Sequence, residues 1–168
     1  MGPAFTRVFT DAGAIVCLQD KDRGAAAPHA DYAKRNSGGG LILEADLTSA
    51  SAVEQMLELI DRLFGRIDIL VSNHSIVRSV PIDEIDDDTA AHMFEDNFFS
   101  FCRVTRAAVR RMKMQGGGKI VAITSLVGLT GAATMLTPIV DALPRSRNVP
   151  KLRLTSRGSS IVKLEEAS

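Results

Sequence analysis

The sequence predicts an α/β fold with a parallel sheet, and two observations carry that expectation. Short apolar runs alternate with longer amphipathic segments, the pattern of strands joined by crossover helices. The run at 67–75, "IDILVSNHS", is apolar, too short for a helix, and closes on small polar residues. Such a run reads as a strand buried on both faces, which belongs to a parallel sheet covered by helices. Ligands of such sheets sit beyond the carboxyl ends of the strands, so Ser72, Asn73, His74 and Ser75 fall where chemistry is expected.

The elements follow in order. Phe5, Val8, Phe9 and Ala12 recur at helical spacing over 3–12, with Pro3 suited to a first turn and Gly13 as the stop. Residues 15–19 read as a strand with Asp20, Lys21 and Asp22 at its end. The Ala-rich stretch 23–37 predicts a helix that breaks at 38–40, and 41–45 a second strand ending at Asp46. Ser51 and Glu54 have capping-box spacing. The helix after them carries Val53, Met56, Leu57, Ile60, Leu63 and Phe64 on one face, and Gly65 closes it. After the strand at 67 comes an acidic helix entry with Asp83, Glu84, Asp86, Asp87 and Asp88. Consecutive aspartates rarely converge on one ion, so a solvated helix start is the expectation there and no metal site.

A long helix over 94–114 places Phe94, Phe98, Phe101, Thr105, Ala108 and Met112 on one stripe. Arg103, Arg106, Arg110 and Lys113 form a second stripe, read as a solvated or partner-facing surface. Residues 116–118 end the helix, 119–124 read as a fourth strand, and Ser125 stands at its carboxyl end.

Composition bounds the function. A chain of 168 residues suits one domain. Lys plus Arg and Asp plus Glu both number 20, so no net field favours nucleic acid or an anionic membrane. Cys17 and Cys102 lack metal-ligand spacing and read as buried thiols of a reducing compartment. With no apolar run long enough to span a bilayer, a soluble cytoplasmic location is expected.

Five segments in order resemble the short-chain dehydrogenases/reductases. "DAGAIVCLQDKD" is similar to that family's second strand, with Asp20 at the acidic position, and "LEADLTSASAV" to its third, with Asp46 and Leu47 at the adenine-contacting turn. "IDILVSNHSI" resembles the segment usually written LVNNAGI, which sets Asn73 among the cofactor contacts, with His74 and Ser75 in place of its Ala and Gly. "FEDNFFSFCRVTRAAVRRM" resembles the long fifth helix, with Asn97 at the active-site Asn. "GGGKIVAITSLVGLTG" resembles the fifth strand, with Ser125 at the catalytic Ser. The resemblance runs from Gly2 to about Thr134.

That resemblance implies a Rossmann-like doubly wound parallel sheet, and oxidoreduction of a secondary alcohol or ketone with NAD. A carboxylate at Asp20 can accept from both hydroxyls of an adenosine ribose and repels a 2′-phosphate, which favours NAD over NADP, although Lys21 or Arg23 could soften that exclusion. Ser125 could donate to a substrate carbonyl. His74 reads as a satisfied polar side chain near a loop, with proton transfer as the sharper alternative.

The sequence also departs from the family. Only Gly2 can correspond to the last glycine of the TGxxxGxG turn, and the first strand is absent. At the place of YxxxK stand Thr137, Pro138, Ile139, Val140, Asp141, Ala142 and Leu143, and the sole tyrosine, Tyr32, lies elsewhere. The expectation is therefore an incomplete sheet, truncated at the N-terminus, with a partial dinucleotide-binding domain at 1–136. A divergent, poorly ordered tail follows at 137–168, with strand or hairpin character at 153–164. NAD binding is expected to be weak or lost, and catalysis by this chain doubtful. The alternatives are a non-catalytic fragment forming a homo-oligomer through the helix 94–114, or a non-functional truncated product.

Overall fold

The computed structural model describes residues 1–37, 39–78, 80–125, 152–155 and 163–166. The chain divides into two compact units, one holding Met1–Asp46 and the other beginning at Leu47.

In the first unit, helix α1 (Gly2–Asp11) leads through a turn at Gly13 to strand β1 (Val16–Asp20), helix α2 (Arg23–Ser37) and strand β2 (Gly40–Glu44). The strands run parallel, with Val16 opposite Gly40 and Asp20 opposite Glu44. Ala26, Ala30 and Ala33 form the buried face of α2. Their small side chains let the helix lie close on β2: a Cβ added at Gly40 would stand 2.5 Å from the Ala30 carbonyl oxygen and 2.9 Å from Ala33 Cβ. The buried face of α1 differs from the expected one. Thr6 and Thr10 are inside, and Val8 is exposed. Thr6 tolerates this because its hydroxyl donates to the Gly2 carbonyl one turn back.

The second unit holds α3 (Ala50–Phe64), β3 (Ile69–Ser72), a 3₁₀ turn (Ile82–Glu84), α4 (Asp87–Phe94), a π turn (Glu95–Phe99), α5 (Ser100–Met114) and β4 (Lys119–Ala122). β3 and β4 are parallel, with Ile69 opposite Lys119 and Ser72 opposite Ala122. Val53, Met56 and Leu57 of α3 and Phe101, Val104, Ala107, Ala108 and Met112 of α5 are buried where the two helices pack. Arg111 ties them together, donating from Nε to Asp61 at 2.6 Å and from Nη1 to Glu54 at 3.1 Å. Burial pushes the Arg111 pKa down, but these two partners outweigh it and hold it above the ordinary value.

Three local expectations are corrected. The N-cap of α3 is Ser49, whose hydroxyl accepts from the Ala52 N–H, so Ser51 and Glu54 form no capping box. The long helix is broken by the π turn, which inserts a residue into the 3.6 period. The apolar stripe therefore restarts at Phe101, leaving Phe94 and Phe99 exposed at 40% and 48%. The third strand starts at Ile69, because Ile67 is paired by a side chain instead: its N–H donates to Gln115 Oε1 at 2.9 Å and its carbonyl accepts from Gln115 Nε2 at 2.7 Å.

The architecture is the predicted α/β, Rossmann-like arrangement of parallel strands and helices, and the sheet is incomplete. Among the described residues β1 pairs only with β2, and β3 only with β4. Backbone strands β5 (Leu152–Thr155) and β6 (Lys163–Glu166) pair antiparallel, in the region where hairpin character was expected. The segment 137–143, at the place of YxxxK, lies outside the described residues.

Candidate functional site

The expected site residues stand at or just after strand ends, at the start of α1 and, for Asn97, in the π turn. In the first unit Gly2 begins α1, so its N–H is one of the donors a helix leaves unpaired. Asp20 ends β1, and its Oδ1 accepts from the Asp22 N–H at 2.9 Å. Asp22 in turn accepts from the N–H groups of Gly24 and Ala25, at 2.8 and 3.2 Å, and so caps α2. The turn after β1 is thus fixed by two successive aspartates. The second oxygen of Asp20 has no hydrogen bond among the described residues. Asp46 follows β2, the neighbouring parallel strand, and pairs with Lys21 at 3.2 Å across the two strand ends.

In the second unit Leu47 is buried. Asn73 directly follows β3, and its Oδ1 is buried with no hydrogen-bond partner among the described residues. A buried acceptor left unpaired costs about 1–3 kcal/mol. A ligand that donates there removes that cost, so the residue fits a dinucleotide rich in hydroxyl and amide groups.

Asn97 is in the π turn and buried. Its Oδ1 accepts from the Ile76 N–H at 2.7 Å and its Nδ2 donates to the Ile76 carbonyl at 2.9 Å. The side chain is spent on holding the loop after β3. Ser125 follows β4 and is exposed. Because β4 runs parallel beside β3, with the Ile123 N–H donating to the Ser72 carbonyl at 2.9 Å, both strands deliver their polar ends in the same direction.

One connection escaped sequence reasoning. His74 Nε2 lies 2.6 Å from Ser100 Oγ, and Ser100 Oγ donates to the Asp96 carbonyl. Ser72 Oγ lies 3.5 Å from His74 Nδ1. His74 and Ser100 are 26 residues apart in the chain, and nothing in their spacing signals the contact. Tyr32, the sole tyrosine, is on α2, where its hydroxyl donates to Asp11 Oδ1 at 2.6 Å and Arg7 covers its ring at 5.2 Å from the centroid. Among the described residues no group of three His, Cys, Asp or Glu could hold a metal, and no helix is long and apolar enough to cross a membrane.

Parallel strands with crossover helices, polar strand ends and an Asn on a π turn define the class, and the comparisons give the family. The family model for short chain dehydrogenases matches residues 1–137. The chain belongs to that family, an oxidoreductase family. It is 33% identical over 133 residues to the 3-oxoacyl-(acyl-carrier-protein) reductase FabG of Salmonella typhimurium, covering 79% of this chain and 53% of the relative. A crystal structure of a putative short-chain dehydrogenase/reductase from Burkholderia xenovorans superposes with a TM-score of 0.73 at 29% identity, over 79% of this chain and 51% of that one. NAD+-bound xylitol dehydrogenase shares the fold at 24% identity, with a TM-score of 0.71, over 77% of this chain and 53% of that one. The chain spans about half the length of the curated relatives it matches.

Proposed function

We propose that this chain is a dinucleotide-binding member of the oxidoreductase family, with NAD(H) preferred over NADP(H) and a small secondary alcohol or ketone as the substrate class. The binding part is 1–136, and 137–168 is a divergent tail. The observation that carries the cofactor preference is Asp20: a carboxylate at the end of β1 with one oxygen held by the turn and the other without a partner among the described residues. That oxygen suits a ribose hydroxyl and repels a 2′-phosphate. Lys21, which could have welcomed the phosphate, leans to Asp46 instead. Gly2, Asp46 and Leu47 are further cofactor contacts, and Asn73 Oδ1 takes a donor from the ligand.

When bound, the nicotinamide supplies the hydride carrier. Ser125 donates to the substrate oxygen, and Asn97 keeps the loop after β3 in place. Among the described residues no tyrosine is placed as the acid/base: Tyr32 stands on α2 bonded to Asp11, and the sequence carries no tyrosine after Ser125. Loss of a positioned acid/base costs roughly 10²–10⁴-fold in rate, so no measurable turnover is expected from this chain alone. An assay over a panel of secondary alcohols with NAD tests this. Turnover that Ser125→Ala abolishes would overturn it.

A second reading is a non-catalytic chain that pairs with a copy of itself through the helical segment 94–114. The exposure of Phe94 and Phe99 favours it. Sedimentation of the chain and of Phe99→Glu tests it: a dimer dissociated by the substitution supports pairing, and a monomer in both cases excludes it.

A further inference from the structure

We propose that His74 is a positioning residue: its imidazole locks the carboxyl end of β3 to the first turn of α5 and thereby holds the neighbouring Asn73. The hydrogen-bond directions give the lock its sense. The Asp96 carbonyl can only accept, so the Ser100 hydroxyl spends its single hydrogen there. Ser100 Oγ then offers only lone pairs to His74, and the hydrogen between them, at 2.6 Å, belongs to Nε2. In the neutral ring Nδ1 is left as an acceptor, and the Ser72 hydroxyl faces it at 3.5 Å.

Burial excludes a nucleophilic reading. Ser100 is 1% exposed and Ser72 7%, so neither hydroxyl can meet a substrate. What the arrangement does is mechanical. Ser72 ends β3, Ser100 begins α5, and the π turn lies between α4 and α5. The imidazole spans from strand to helix, and Asn97 holds Ile76 on the far side of His74. The segment 73–76 is thus pinned at two points from the same helical region. Asn73, directly before His74, carries the unpaired Oδ1 and can keep its place only if the backbone beside it is fixed. The effect on cofactor affinity rests on the reading that Asn73 meets the dinucleotide; the lock itself does not.

Three measurements on the full chain test the assignment. Nitrogen-15 spectra of the His74 ring should show the Nε2–H tautomer; an Nδ1–H ring overturns the assignment. In hydrogen exchange, His74→Ala should speed the Ile76 amide by roughly two- to tenfold, the size of one net hydrogen bond, and His74→Gln, which keeps an N–H at similar reach, should restore protection. Unchanged exchange in His74→Ala overturns the lock. NADH affinity should fall by about the same factor in His74→Ala and return in His74→Gln. If the unsubstituted chain fails to bind NADH, the cofactor reading fails, and the lock still stands or falls on the ring spectrum and the exchange.

Discussion

Asn97 reads both backbone groups of Ile76, accepting from its N–H at 2.7 Å and donating to its carbonyl at 2.9 Å, as a neighbouring strand would. At the other end of β3 the Gln115 carboxamide does the same for Ile67. Backbone groups shortly before and after the strand are thus paired by side chains of the C-cap of α5 and of the π turn. Asn97 therefore has a structural task, and its loss has a predictable cost.

Asn97→Ala removes both partners of Ile76 and leaves two backbone groups to find water. We expect a loss of about 1–3 kcal/mol of stability, with faster exchange at Ile76. Denaturant unfolding and hydrogen exchange check it, and an unchanged midpoint would show that Asn97 holds nothing.

Gly40 lies where a Cβ would stand 2.5 Å from the Ala30 carbonyl oxygen and 3.1 Å from the Lys34 nitrogen. Backbone atoms cannot move aside as a flexible side chain does. Gly40→Ala should therefore cost about 1–3 kcal/mol by overpacking. A thermal unfolding temperature equal to that of the unsubstituted chain would contradict the close approach of α2 to β2.

Burial pushes the Cys17 thiol up to about 11. A raised pKa means that the folded state favours the neutral thiol. This contribution to stability is complete below the unfolded value of about 8.5 and is lost as pH rises toward 11. Labelling at pH 8 with a thiol reagent should therefore be slow for Cys17 in the folded chain and fast after unfolding. Equal rates in the two states would contradict the burial.

The α/β order was legible because its signals are local. Alternating strand and helix periods, Gly13 and Gly65 as stops and the Ala-rich helix each act over a few residues, and each stands where the sequence put it. The corrections come from interactions at a distance. A π turn changes the helical period without changing composition, so Phe101, Ala108 and Met112 of the expected stripe are buried while Phe94, on the far side of that turn, is exposed. Ile67 has strand character, but its backbone partner is a glutamine 48 residues away. Asp20, Asn73 and Ser125 were placed at strand ends by pattern and resemblance, whereas the Ser72–His74–Ser100 connection needed the fold.

Asp20 is proposed to make this chain prefer NAD(H). Isothermal titration of the full chain with NADH and, separately, NADPH tests it most directly, with Asp20→Ala as the control. Weak binding of NADH, weaker binding of NADPH, and loss of that difference in Asp20→Ala are expected. Tighter binding of NADPH, or a preference that survives the substitution, would contradict it.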